Sequence, residues 1–173
     1  MVGDYWRDDC DELSQLGELI AAAKDLSSQR ALAAVEKRLA AFVRGSDLPV
    51  DPIVIGVPPG PNRDDHPVPA LAAAVAAALG AVPGDVLSRR NSTARLRDTP
   101  ISRRHAVVEA AGYAVSGDVV GRSVVLVDDV ILTGTTLEYL AELLTAAGAA
   151  DVSAVVVCQT RLSIEPRASG DEG

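Results

Sequence analysis

The chain has 173 residues, 48% of them hydrophobic and 23% charged, with a formal net charge of −8. That is enough chain to bury a core and too apolar a composition for a disordered one. Only 3% of residues are aromatic, so stacking platforms for single strands are scarce, and an acidic chain is poorly matched to a polyanion; both disfavour nucleic acid as a partner.

Two cysteines, Cys10 and Cys158, give neither a disulfide framework nor zinc-ligand spacing. No apolar run is long enough for a membrane span, and the acidic start carries no signal-peptide pattern, so the expectation is a cytoplasmic protein. The charge is uneven. Residues 1–18 sum to −5, while residues 84–105 hold six arginines and two acids, a net of +4. A basic island in an acidic chain suits a small anionic ligand.

In chain order, residues 10–26 carry Leu13, Leu16, Leu19, Ile20 and Ala23 at helical spacing, and residues 29–43 repeat the pattern with Leu32, Val35, Leu39, Phe42 and Val43. Two amphipathic helices are expected, and a face such as Leu13–Leu19 could pair two copies as a homodimer. Ile53–Val57 is a short β-branched run, read as a strand buried on both faces, and Pro58-Pro59-Gly60-Pro61-Asn62 must end it in a loop. Residues 68–80 are alanine-rich with Leu71, Val75 and Leu79 four apart, a helix able to lie close to a sheet. Val86-Leu87 reads as a short strand and residues 88–105 as a long polar loop. A helix is expected over 103–111, an edge strand at 113–115, a buried strand at 123–127, a helix over 135–147 and a buried strand at 152–157.

Strands alternating with helices imply an α/β fold with an open, mostly parallel sheet flanked by helices. The expected organisation is an N-terminal helical cap or hood over residues 1–48, the α/β core over 49–160 and a frayed tail over 161–173.

The segment that carries chemistry runs from Val124 to Thr136. Four apolar residues lead to Asp128-Asp129, and Thr133-Gly134-Thr135-Thr136 then opens a helix. In parallel sheets ligands bind at the carboxyl ends of strands. A helix N-terminus offers unpaired N–H groups and partial positive charge, which suits one phosphate. The adjacent acids cannot simply face that phosphate: two charges about 6 Å apart at an effective dielectric near 20 repel by roughly 3 kcal/mol, and the helix terminus returns about 0.3–2 kcal/mol. They should face hydroxyls, a cation or both, which a ribose 5-phosphate with its diol and Mg²⁺ would satisfy.

These thirteen residues resemble the phosphoribosyl pyrophosphate (PRPP) motif of type I phosphoribosyltransferases. The Arg-rich loop, Ile101-Ser102-Arg103-Arg104 ahead of Gly112-Tyr113, and the run from Gly121 to Val130 look most like the ComF-like subgroup, here without its zinc ribbon. The resemblance implies a Mg²⁺-dependent transferase (a glycosyltransferase of the pentosyl class) that passes phosphoribose from PRPP to a nitrogenous base and releases pyrophosphate. It implies that Asp128 and Asp129 hold the ribose hydroxyls and the metal, and that Thr133, Gly134, Thr135 and Thr136 cradle the 5-phosphate. Pro58, Pro59, Gly60 and Arg63 would meet pyrophosphate, and Arg89, Arg90, Arg95 and Arg97 would lie on a loop that closes over the reaction.

Three departures stand out. Arg63-Asp64-Asp65-His66 replaces the more basic stretch usual in the subgroup after the first strand. Leu132 stands where hypoxanthine-type enzymes place an Asp, which disfavours that specificity. The tail after Cys158 is too short for a C-terminal hood. A non-catalytic PRPP or nucleotide sensor on the same fold is the alternative.

Overall fold

The structure, a computed structural model, describes residues 3–4, 14–25, 27–61, 66–93 and 96–160. The elements are β1 (Gly3–Asp4), α1 (Gln15–Asp25), α2 (Gln29–Arg44), β2 (Ile53–Gly56), α3 (Val68–Leu79), β3 (Leu87–Arg89), a 3₁₀ turn (Leu96–Asp98), α4 (Ile101–Ala110), β4 (Tyr113–Val115), β5 (Ser123–Ile131), α5 (Thr135–Ala146) and β6 (Asp151–Gln159). The main sheet has the order β1-β6-β5-β2 and every pairing in it is parallel. This is the α/β architecture expected from the alternation of strand and helix patterns.

The central strand β5 explains the layering. Val124 to Val127 are all buried, as a parallel strand covered on both faces requires. Val125 and Val127 share one apolar cluster with Leu16 and Ile20 of α1, Val35 and Leu39 of α2, and Leu71 and Val75 of α3. Val124 and Leu126 share the other with Leu137, Leu140 and Leu144 of α5 and Leu87 of β3. Both N-terminal helices thus belong to the same apolar layer as α3.

Close packing of α3 on β2 needs small residues on both sides. A Cβ on Gly56 would fall 2.9 Å from a Val68 methyl and 3.4 Å from Ala72, so the alanine-rich helix and the glycine at the strand end fit each other. At the start of α2, the Ser28 hydroxyl accepts the Ala31 N–H at 3.3 Å. Ser28→Ala should therefore lower stability by about 0.5–1 kcal/mol, a shift in Tm of about 1–4 °C that thermal unfolding can check.

Two expectations need correction. Residues 88–105 are not one loop: β3 runs to Arg89 and pairs antiparallel with β4, a 3₁₀ turn follows, and α4 starts at Ile101. Pro100, with φ −53° and ψ 141°, precedes the helix, and its fixed φ and missing donor suit a chain entering a helix. The strand carrying the acids does not stop at Val127. It continues to Ile131, because β6 offers main-chain partners as far as Gln159 whatever the side chains are. Two-residue β1, pairing with Cys158 and Gln159, was not anticipated; so short a strand has no alternation to read. Leu13, Cys10, Arg63, Arg95 and the tail 161–173 lie outside the described residues. Among the described residues no helix is long and apolar enough to cross a membrane.

Candidate functional site

Side chains on a strand alternate between its faces, so two adjacent acids on β5 must part company. Asp129 turns toward the α1–α3 side and is 4% exposed. Its Oδ1 accepts the Val130 N–H at 2.6 Å. Its Oδ2 lies 2.8 Å from Lys24 Nζ at the end of α1 and 3.6 Å from His66 Nε2. The other His66 nitrogen, Nδ1, accepts the Val68 N–H at 3.4 Å, which places the ring proton on Nε2, facing the carboxylate.

Asp128 lies on the opposite face, and its Oδ1 accepts the Asp129 N–H at 2.9 Å. Burial, and then the negative charge of Asp129, push its carboxyl up to about 8, against the pull of that hydrogen bond and of Lys24. Tyr113 on β4 feels the same charge. Burial raises its phenol first, Asp128 adds to the rise, and Arg89 opposes it.

Beyond β5, Gly134 takes φ 82° and ψ −8° as the N-cap of α5, a left-handed conformation that strains any side-chain-bearing residue. Among the described residues no side chain caps the helix. The first helical bond joins Glu138 N–H to the Gly134 carbonyl at 2.9 Å, so the first-turn amides remain directed out of the helix. Thr133 Oγ1 and Thr135 Oγ1 are 2.9 Å apart.

Among the described residues two arginines reach this region. Arg89 presses against the loop after β2: a Cβ on Gly60 would meet its guanidinium carbon at 3.5 Å. Its Nη2 donates to Thr93 Oγ1 at 2.8 Å, its Nε to the Asn91 carbonyl at 3.2 Å, and the guanidinium lies 5.7 Å from the Tyr113 ring centroid. Arg104 of α4 is 4% exposed and donates from Nη1 to Thr133 Oγ1 at 3.3 Å.

Of the residues singled out in the sequence, the structure brings Gly60 and Arg89 together. It places Asp128 within electrostatic reach of Tyr113, and Thr133 beside Thr135. It separates Asp128 from Asp129 across the sheet. Pro58 and Pro59 are half-buried in the loop, and Arg90 is exposed on the arm formed by β3 and β4. Arg63 and Arg95 lie outside the described residues, as does the Arg97 side chain. Sequence reasoning missed Lys24, Tyr113 and Arg104 as site residues and gave His66 no role. Period-two alternation could have shown that the acids diverge, but no local signal names their partners.

The fold and this site together define an α/β domain with a parallel sheet, a glycine-opened helix at its carboxyl edge and a carboxyl group beside it. Comparison with known families matches residues 70–171 to the phosphoribosyl transferase domain, and the chain belongs to that family. Among solved structures it is similar to the allosteric regulatory enzyme of purine biosynthesis, with 27% identity and a TM-score of 0.52 over 73% of this chain and 26% of that one. It also shares its fold with glutamine PRPP amidotransferase from B. subtilis, at 21% identity and a TM-score of 0.52 over 78% of this chain and 36% of that one. The chain therefore spans well under half the length of either protein. Comparison with curated proteins finds no match.

Proposed function

We propose that the chain is a phosphoribosyltransferase that takes PRPP with Mg²⁺ and passes phosphoribose to a nitrogenous base, releasing pyrophosphate. The observation that carries this is the uncapped, Gly134-opened start of α5 placed directly after the strand that holds Asp128. In this reading Thr133, Gly134, Thr135 and Thr136 surround the 5-phosphate with amides and hydroxyls. Asp128 accepts hydrogen bonds from the ribose diol. Arg89, held against Gly60, and with it Pro58, Pro59 and Arg63, faces the pyrophosphate; Arg90, Arg95 and Arg97 belong to the segment that covers the site. The sugar becomes cation-like as the bond to pyrophosphate lengthens. The chain contributes positioning and charge complementarity, and no nucleophilic side chain is assigned.

Asp128 fits a Mg²⁺ ligand. It keeps one oxygen clear of the Asp129 N–H, and a cation beside it would favour the ionised form that burial disfavours. When bound, the metal would neutralise pyrophosphate oxygens as the leaving group departs. Among the described residues no group of three His, Cys, Asp or Glu side chains comes together to hold a metal, which suits Mg²⁺ held by one carboxylate, water and substrate oxygens. Asp129 would join only on release from Lys24. Leu132 leaves that position without a titratable group, so specificity for hypoxanthine is disfavoured. Assignment to the ComF-like subgroup rests on the arginine-rich segment and the residues around Gly112-Tyr113.

A second reading, a PRPP or nucleotide sensor without turnover, is favoured by the engagement of both Asp129 oxygens. Incubation with PRPP, Mg²⁺ and a panel of bases tests both. Pyrophosphate release supports the enzyme, binding without release supports the sensor, and absence of PRPP binding defeats both.

A further inference from the structure

Arg104 is a charged side chain in the wrong place for a surface residue. It sits in the first turns of α4, is 4% exposed, and lies one position from Arg103, which is exposed. Its Nε donates to the Thr99 carbonyl at 3.0 Å and its Nη1 to Thr133 Oγ1 at 3.3 Å. Neither acceptor carries a charge. Among the described residues no carboxylate forms an ion pair with it.

A guanidinium has five N–H donors, so two bonds leave much of its capacity unused. Buried charges are ordinarily paired, because an isolated one is costly to desolvate. Beyond the nearby Thr99 carbonyl, Arg104 reaches the Thr133–Thr135 hydroxyl pair at the mouth of α5, where first-turn amides also point. Amide donors, hydroxyls and an unbalanced cation on one spot make a receptor for an anion. A planar guanidinium is shaped to meet phosphate oxygens two at a time.

We propose that Arg104 is a direct ligand of the phosphate monoester at the start of α5, and that through it α4 is held down when that phosphate is in place. The proposal rests on the reading that this turn receives the 5-phosphate of a phosphorylated ribose, and it adds a residue and a consequence to that reading. The arginine would bridge two elements far apart in sequence, so occupancy of the α5 turn would order the first turns of α4 and the 3₁₀ turn before it.

Ribose 5-phosphate, inorganic phosphate and ribose serve as probes, titrated calorimetrically into the full chain. Wild type should bind ribose 5-phosphate, bind inorganic phosphate more weakly, and show no comparable heat with ribose. Arg104→Gln should weaken ribose 5-phosphate at least 10-fold. Arg104→Lys should recover part of the loss, because it restores the charge without the fork. Arg103→Gln, next door and exposed, should match wild type. Retention of wild-type affinity in Arg104→Gln overturns the proposal while leaving the 5-phosphate reading intact. Failure of wild type to bind either ribose 5-phosphate or PRPP overturns both.

Should Arg104→Gln not fold, hydrogen exchange on wild type still decides. Amides of residues 101–110 should slow with saturating ribose 5-phosphate and not with ribose. Unchanged exchange there, with ribose 5-phosphate bound, overturns the proposal. A purely structural arginine would leave that protection unmoved.

Discussion

Asp128→Asn is expected to cut pyrophosphate release from PRPP by roughly 100-fold while making the ligand-free protein harder to unfold in alkaline solution. Both effects follow from one carboxyl group. Its proton is held up to about 8 in the folded chain, mainly by burial and then by Asp129, whereas the unfolded chain releases it in the ordinary range near 4. Between those values the native state carries a proton that the unfolded state lacks, so stability falls as pH rises from about 4 to about 8 and stays low above that. Asparagine never ionises, so it removes that penalty. The variant should match wild type near pH 4 and gain increasingly up to pH 9, by at most about 5 kcal/mol, the equivalent of about four pH units at about 1.4 kcal/mol each, with Tm rising by several degrees. Thermal unfolding of both proteins at pH 4.5, 7 and 9 measures it. A gain independent of pH would show that the carboxyl is not held protonated. Retained turnover would remove Asp128 from the site.

The parts of this arrangement that were legible in the chain are those with short-range causes. The buried strands were visible because Ile53–Val57, Ser123–Val127 and Val152–Val157 are apolar and largely β-branched, and α3 because alanine and leucine recur at helical spacing. The turn before α5 was readable from Gly134 and its threonines. The partners were not readable. Lys24 meets Asp129 only because α1 folds back over the sheet, and ion pairs between distant segments leave no local pattern. Arg104 and Arg103 are identical in type and adjacent, yet one is buried and the other exposed; the helical phase of α4 against α5 decides that. The β3–β4 arm was half seen, since three-residue strands carry too few alternations and Leu87 alone is fully buried in β3. The divergence of Asp128 and Asp129 was readable from the rule that neighbours on a strand face opposite ways.

That opposition gives Asp129 a different fate, and Lys24→Met exposes it. Loss of the ammonium 2.8 Å from a carboxylate that is 4% exposed leaves a buried negative charge faced, among the described residues, by the Val130 N–H and by His66 at 3.6 Å. Such removals are strongly destabilising, whereas removing both charges often costs little. Lys24 keeps partial contact with water, at 27% exposure, so the expected loss is about 2–3 kcal/mol, a fall of about 4–10 °C in Tm. Asp129→Asn alone should cost less, because the freed lysine can turn to solvent and the asparagine oxygen can still accept the Val130 N–H. The double variant should recover most of the stability lost in Lys24→Met, giving a coupling energy of about 1–2 kcal/mol in a double-mutant cycle. Near-additive losses would show that the pair contributes nothing as a pair. The same double variant weighs the two possible uses of Asp129. If the carboxylate is a strut that ties α1 to β5, PRPP should bind the double variant about as well as it binds wild type. If PRPP affinity falls with the double variant as it does with Asp128→Asn, the carboxylate must leave Lys24 when ligand arrives, and the end of α1 becomes a moving part of the site.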